Sequence, residues 1–585
     1  MPTRKKLAAL CIFIFIIICS LLVLVSCKQD VPPAPELHIA LITDTHVIGE
    51  NQIGDINSQS YINFSKGANK MMHISEAILK SALDEIIATK PDVLFIAGDI
   101  TEDGGNLSHR AVAANLEKVR SAGIKVFVIP GNHDIREGRT HTTEGAVAVA
   151  SPTFDDFANI YANFGYSNPL STYEGTLSYT ADIDENYRLI AIDANVYSYD
   201  DQLRPRSTGQ SAMPSGLMNW AVEQIKAAKA AGKTPVGMLH FPVIQHYGEL
   251  IEKTNFVPKS TLGGYTEARS KLLEAGLNYL FTGHMHLQST EVYEDENGKL
   301  YDISTSALSN YPMPMRHFKV YSEEIEITTQ MLKKVNEQYI PSYISSAERT
   351  AIIADFTKYA YDFINTSLGG SVLDVLDTNL VLSVMGMLGA DKNAVATKAL
   401  AQDFSNNFLT SLLNLKLYNK DKVGDEPTVE QIAALYGEEL PQTEYDTVLT
   451  LALSFIKAKF AGESDFVASD SKSTALKYSF YSVFHLIDEY QLFSKLNQIN
   501  SSIKVISFEN VSAALFTAGK FPLEKGGILD VIVDVITKEL TFLPNIDKEK
   551  IDGKSLLGLL SMFNWQSLDY TFGIPIQLYM DVESG

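Results

Sequence analysis

Five short stretches of this chain bring carboxylates, imidazoles and an amide together at spacings suited to metal ions. In order they are Asp44-Thr45-His46, Gly98-Asp99, Gly131-Asn132-His133-Asp134, the single His240, and Gly283-His284-Met285-His286. Hard and borderline divalent ions take carboxylate oxygen and imidazole nitrogen. Asp44 and His46 are two residues apart, as are His284 and His286, so on an extended segment each pair faces one side. Asp99 is a short carboxylate able to bridge two ions, and Asn132 offers a neutral carbonyl oxygen. Gly98, Gly131 and Gly283 suit the sharp turns that aim these side chains. Singly, each stretch has a plainer reading: Asp-x-His and Gly-Asp as turns, His240 as an ordinary histidine. What favours the metal reading is recurrence, because each stretch follows an apolar run where a buried strand would end.

The elements that must position them can be read from the hydrophobic pattern. Runs 37–43, 92–97 and 124–129 read as strands, separated by helical repeats at 74–87 and 107–122. That β-α-β-α-β order implies parallel strands with right-handed crossovers. Ligands of such sheets sit beyond the carboxyl ends of the strands, which is where the Asp and His residues fall. Strands at 176–182, 188–193, 236–239 and 279–282, with helices at 217–231 and 268–275, continue the pattern. Hairpins are expected at 290–303 and 317–329. The polar segment 49–69 is long for a connection in a compact domain and reads as a lid or as disorder. From residue 345 the pattern becomes helical, with capping-box spacing at Ser345/Glu348 and Thr428/Gln431. Further helical runs are expected at 373–388, 393–415, 428–436, 445–460, 475–490, 508–516, 527–540 and 556–563.

As a set, the five stretches resemble the signatures of the calcineurin-like metallophosphoesterases. The resemblance covers about residues 37–321. It implies a four-layer α/β/β/α sandwich; the hydrophobic pattern places that domain over 37–341 and a separate all-α C-terminal domain over 342–585. It also implies two divalent or trivalent ions (Mn, Fe or Zn). Asp44, His46 and His286 would hold one ion, Asn132, His240 and His284 the other, and Asp99 would bridge them. His133 would contact the phosphate and act as proton donor, oriented by Asp134. The reaction implied is phosphoester hydrolysis. Two ions lower the pKa of water, so a metal-bridged hydroxide would exist near neutral pH and attack phosphorus in line.

The Asp-x-His and Gly-Asn-His-Asp forms resemble the class III cyclic-nucleotide phosphodiesterases, so a small or cyclic nucleotide diester is the expected substrate. A phosphomonoesterase or 5′-nucleotidase shares the same ligands, and a non-catalytic surface binding lipoprotein is the reading from another class. The purple acid phosphatase branch is set aside, because the run Gly98 to Glu102 lacks that branch's tyrosine and His46 stands where that branch has no histidine. Segments 49–69, 196–214 and 245–266 would line the mouth. Their Tyr197, Tyr199, Tyr247, Phe256 and Tyr265 can stack on a base or simply pack locally.

Composition narrows the partners. The 585 residues carry a formal net charge of −22, which disfavours a nucleic-acid polymer. Bound metals would still make a small site locally positive. Arg4, Lys5 and Lys6 precede an apolar run ending in Leu24-Val25-Ser26-Cys27. This resembles a bacterial lipobox: a signal peptide over 1–26, a lipidated Cys27 and a Pro-rich tether over 27–36. An extracytoplasmic chain anchored to the bacterial membrane by lipid is the expectation. The three cysteines all lie at or before residue 27, so neither disulfides nor cysteine metal sites are expected in the mature chain.

Overall fold

A computed structural model describes residues 35–501 apart from several short internal stretches, the longest being 247–260 and 463–470. The leader, Cys27 and most of the tether lie outside the described residues. So do Tyr247, Phe256 and the helical runs expected at 508–516, 527–540 and 556–563.

The three apolar runs form the strands Leu37–Ile42, Val93–Ala97 and Lys125–Ile129. They pair in parallel, as the β-α-β-α-β order requires. Leu37–Ile42 also pairs antiparallel with Pro314–Val320, which turns back into Ile325–Met331 and completes a five-stranded sheet. A seven-stranded sheet is built around Tyr187–Ile192, Thr234–Leu239, Tyr279–Thr282 and Gly298–Ser304, which run parallel. Its outer strands Tyr179–Asp182 and Ser289–Asp295 are antiparallel. Both faces of each sheet are covered, which is why the central strands read as unbroken apolar runs.

The inner faces meet through Ile39, Leu41, Phe95, Leu189, Met238, Phe281 and Phe318. Helices Ser75–Thr89 and Asn106–Ser121 cover the outside of the first sheet. Helices Ser215–Ala230 and Tyr265–Ala275 cover the outside of the second. Each fully buried Leu, Ile or Phe in these layers contributes roughly 1.5–3 kcal/mol of transfer free energy. The result is the four-layer α/β/β/α sandwich. Residues 43–46, 98–99, 131–134, 240 and 283–286 all leave the carboxyl ends of its parallel strands.

Residues 49–69 are not an open lid. They contain the helices Glu50–Ile53 and Gln59–Ser65, and Gln52 and Tyr61 are buried. Gln52 donates to Asp103 Oδ1 at 3.2 Å and accepts from the Ser108 backbone at 3.1 Å, which fastens the segment beside the second motif. Two hairpins had no counterpart in the sequence reading: Arg139–Thr142 with Gly145–Ala148, and Asn195–Tyr199 with Pro205–Ser211.

The helical part begins with Ser346–Ala354 and Phe356–Val375. Ser345 caps the first of these through the Glu348 backbone. The reciprocal half of the expected box is absent, because the Glu348 carboxylate turns to His73 and Tyr359 instead. Thr428 and Gln431 make both halves of theirs. The core does not stop near residue 341, since Ile352, Phe356 and Ala360 join the layer beneath the first sheet. Ile364 and Leu453 close over Met285 and Leu287, the residues on either side of His286. Among the described residues no helix is long and apolar enough to cross a membrane.

Candidate metal centre

The backbone at these strand exits is unusual. Asp44, His46, Asp99, His284 and His286 all have positive φ, between 44° and 65°. Among the described residues only nine non-glycine residues do so, and five of them are expected ligands. Such conformations cost about 1–2 kcal/mol each and persist only where the surroundings over-determine them. The surroundings here are hydrogen bonds between motifs. Asp44 N donates to Gly98 O and His46 N to Asp99 O, both at 3.0 Å, and Gly283 N donates to His240 O at 3.0 Å.

The carboxylates divide their oxygens in the same way. Asp44 Oδ2 accepts from Thr43 Oγ1 at 2.6 Å and from His284 N at 3.0 Å, while its Oδ1 has no hydrogen-bond donor. Asp99 Oδ1 accepts from His133 N at 2.8 Å. Its Oδ2 lies 3.2 Å from His240 Nε2 and 3.8 Å from His46 Nε2, between the two halves of the site. One oxygen of each group is anchored and the other is presented.

All three motif glycines are dictated by space: a Cβ at Gly98 would lie 2.4 Å from His240 Nδ1. A Cβ at Gly131 would lie 2.3 Å from the Asp99 backbone nitrogen. A Cβ at Gly283 would lie 2.1 Å from Thr43 Oγ1 and 2.5 Å from Asp44 Oδ2. Of the three only Gly98 has a positive φ (88°), so the sharp-turn explanation applies to it alone, while all three let neighbouring motifs touch.

Asp44, His46 and His286 form one cluster and Asp99, His240 and His284 another, each with donor atoms within 4.8 Å of one another. Asn132 Oδ1 faces His240 Nε2 at 3.3 Å. All seven expected ligands are buried. His240 Nδ1 can only donate to the Ala97 carbonyl at 2.8 Å, so in the neutral ring Nε2 is a bare acceptor facing two more acceptors. On the other side, His46 Nε2 and His286 Nε2 stand 3.2 Å apart, with Asp44 Oδ1 3.2 Å from the latter. Buried acceptors converging on acceptors are costly unless a cation lies among them. Two divalent ions fit this donor set, and the residues can hold both.

Proton affinities reflect the same crowding. Burial lowers that of His240, but the Asp99 carboxylate beside it outweighs burial and lifts the ring to about 9, so near neutrality Nε2 and Asp99 Oδ2 share either a proton or a metal ion. Asp99 itself is held well below the usual carboxylate range: burial opposes this, and the His240 and His133 imidazoles prevail. Burial, with His240 adding, pushes His284 well down. For His46, burial and Lys70 lower the affinity while Glu102 and Asp44 raise it, with a net rise.

The third motif departs from expectation. Asp134 does not orient His133. Its carboxylate accepts from Ile100 N, Thr101 N, Thr101 Oγ1 and Gly131 N at 2.8–3.1 Å, stapling the second motif to the third. Burial, with Asp99 adding, lifts Asp134 to about 7. His133 instead donates from Nδ1 to the Glu102 carbonyl at 2.5 Å, leaving Nε2 as its free nitrogen. Burial pushes His133 down to about 3, against the pull of Asp99 and Glu102. Its side chain keeps 17% exposure, enough for contact with a substrate. The resting ring is therefore neutral, rather than poised near neutrality as an unperturbed histidine would be.

Two residues were missed by sequence reasoning. Glu102, buried, sets Oε2 2.8 Å from His46 Nδ1, and Lys70 Nζ contacts both Glu102 oxygens at 3.0 and 2.8 Å. Glu102 stood in the second motif as Gly98-Asp99-Ile100-Thr101-Glu102 and was recoverable as a nearby acid. Lys70 carried no signal. Of the mouth aromatics, Tyr197 packs against Phe154 and donates to Asp193, and Tyr265 is held by Gln245 and Arg269. Tyr199 is exposed.

Residues 37–288 match the calcineurin-like phosphoesterase family model. No curated protein matches the chain. Among solved structures, a dimetal phosphatase from Danio rerio is 12% identical, with 51% of this chain and 97% of that one covered and a TM-score of 0.36. A 5′-nucleotidase precursor from Thermus thermophilus is 12% identical, covering 56% of this chain and 58% of that one, with a TM-score of 0.30. A purple acid phosphatase from yellow lupin is 8% identical, covering 51% and 52%, with a TM-score of 0.32. The segment 37–288 thus matches the calcineurin-like phosphoesterase family model and brings its metal-ligating residues together from five strand exits.

Proposed function

We propose that the chain hydrolyses a small phosphodiester, a small or cyclic nucleotide being the class that its motif forms favour. The observation that carries phosphoester hydrolysis is the double convergence of buried acceptors around Asp99 Oδ2, with His133 at its edge. When bound, two ions supply Lewis acidity, lowering the pKa of water and offsetting charge on the phosphoryl oxygens. The protein's own part is positional. Asp44 and Asp99 each hold one oxygen fixed to backbone or hydroxyl donors and present the other. Asp134 keeps the second and third motifs in register. His133 Nε2 is bare while Nδ1–H rests on the Glu102 carbonyl, so it is the atom that first takes up a proton from water and then passes it to the leaving oxygen.

The choice of diester rests on the Asp44-x-His46 and Gly131-to-Asp134 forms. Bis(p-nitrophenyl) phosphate and p-nitrophenyl phosphate, compared with Mn²⁺ present, test it. The diester is expected to be the better substrate in kcat/KM by about tenfold or more, a difference of roughly 1.4 kcal/mol in the barrier. Preference for the monoester would replace this reading with a phosphomonoesterase or nucleotidase. No hydrolysis of either by metal-loaded protein would favour a binding protein.

The residues before the domain support a second proposal, that Cys27 is acylated and anchors the chain outside the cytoplasmic membrane. Mass spectrometry of the mature N-terminus decides it. A free N-terminal segment upstream of Cys27, still attached and unmodified, would sink it.

A further inference from the structure

Lys70 is a buried lysine contributed from outside every motif. It follows the segment 49–69 and keeps only 5% exposure. Its Nζ lies 3.0 Å from Glu102 Oε1 and 2.8 Å from Oε2. Glu102 Oε2 is in turn 2.8 Å from His46 Nδ1, an ion-pair approach in which the ring N–H is not aligned on the oxygen. Across the same ring, His46 Nε2 faces His286 Nε2 at 3.2 Å and Asp44 Oδ1 at 3.7 Å. Lysine, carboxylate and imidazole thus run in series toward one of the two ion positions.

The other position is backed differently. His240 rests its outer nitrogen on the neutral carbonyl of Ala97 at 2.8 Å. A ligating histidine is oriented and made more basic by whatever its second nitrogen meets, and a carboxylate does this more strongly than a carbonyl. The Glu102 carboxylate has a second destination, because its Oε1 lies 3.9 Å from His133 Nδ1. A buried carboxylate also needs a cation to remain charged at little cost. Lys70 meets both needs at once. It neutralises Glu102 and, by holding both of its oxygens, keeps Oε2 beside His46.

We infer that Lys70 is a positioning residue for one ion only: it clamps Glu102 against His46 and so fixes how His46 presents Nε2 beside Asp44 and His286. The inference rests on the two-ion reading of the site. It makes the two positions unequal in a way the seven ligands alone do not show.

The test uses the full chain, stripped with chelator and titrated with Mn²⁺ by calorimetry, with metal content measured per chain. The unmodified protein is expected to show two binding events. Lys70→Met should weaken one of them by about 10–100-fold, the range seen when outer partners of ligating histidines are removed. The other event should stay within about threefold, while Lys70→Arg keeps both. Melting curves of the stripped proteins establish that the variants fold. If Lys70→Met does not, Glu102→Gln is expected to give the same selective loss. Two events in the parent with both unchanged in the variant, or both lowered alike, overturn the inference while leaving the two-ion site standing. A parent chain that never takes up a second ion overturns the two-ion reading and this inference with it.

Discussion

Asp99→Asn is expected to lose hydrolysis almost completely and to bind metal far more weakly at both positions. The substitution preserves shape and removes charge. Asp99 Oδ1 accepts the His133 N–H, so the amide must keep its oxygen there to avoid setting donor against donor. Its nitrogen would then occupy the place of Oδ2, which now lies 3.2 Å from His240 Nε2 and 3.8 Å from His46 Nε2. An amide N–H can satisfy an imidazole lone pair, but it cannot ligate a cation. Both clusters would lose their shared anion together. Charge stabilisation by bound ions is worth several kcal/mol, so the fall in kcat/KM should be on the order of a thousandfold or more. Steady-state kinetics with elemental analysis of the purified variant measure it. Parental activity with full metal content would remove Asp99 from the centre of the site.

His133→Ala should separate chemistry from metal binding. The alanine retains the backbone N–H that holds Asp99 Oδ1, so both ion positions keep their geometry. What disappears is the ring whose Nδ1 is fixed by the Glu102 carbonyl and whose Nε2 is free. Proton transfer by a positioned side chain contributes typically about 10²–10⁴-fold. The loss should approach that range for an alkyl ester, whose leaving oxygen needs a proton. It should be small for a p-nitrophenyl ester, whose leaving group departs as an anion. Equal losses on both substrates, or loss of metal, would assign His133 a different task.

Much of the site was legible because its chemistry sits at one recurring place. A buried parallel strand shows as an apolar run, and the residue after it is visible without knowing the sheet order. Leu239 and Thr282 end such runs, so His240 and His284 could be placed together although neither touches the other in sequence. Side-chain direction was not legible. Asp134 follows His133 immediately, yet its carboxylate turns to backbone donors of Ile100 and Thr101, more than thirty residues earlier. Glu102 and Lys70 meet across a similar separation.

Short elements were lost for another reason. The strands of the hairpin Arg139–Thr142 with Gly145–Ala148 are only four residues each and of their side chains only His141 is buried, and the helices in 49–69 are only four and seven residues long. They are held by contacts such as Gln52 with Asp103, which no periodicity reveals. The reach of the helical part was hidden likewise. Ile364 and Leu453 look like ordinary helix-face residues, and only the fold shows that they rest on Met285 and Leu287.

The left-handed backbone at Asp44, His46, Asp99, His284 and His286 restricts which ligands these positions can try. Aspartate, asparagine and histidine visit that region several times more readily than other side chains, apart from glycine. A glutamate or cysteine there would carry a conformational cost of about 1–2 kcal/mol before any coordination bond was considered. Mutation can therefore exchange oxygen and nitrogen donors at these five places more easily than it can bring in sulfur. Softness of the donor set, and with it the range of metals available to the protein's descendants, is limited by the shape of the main chain as well as by the chemistry of the side chains.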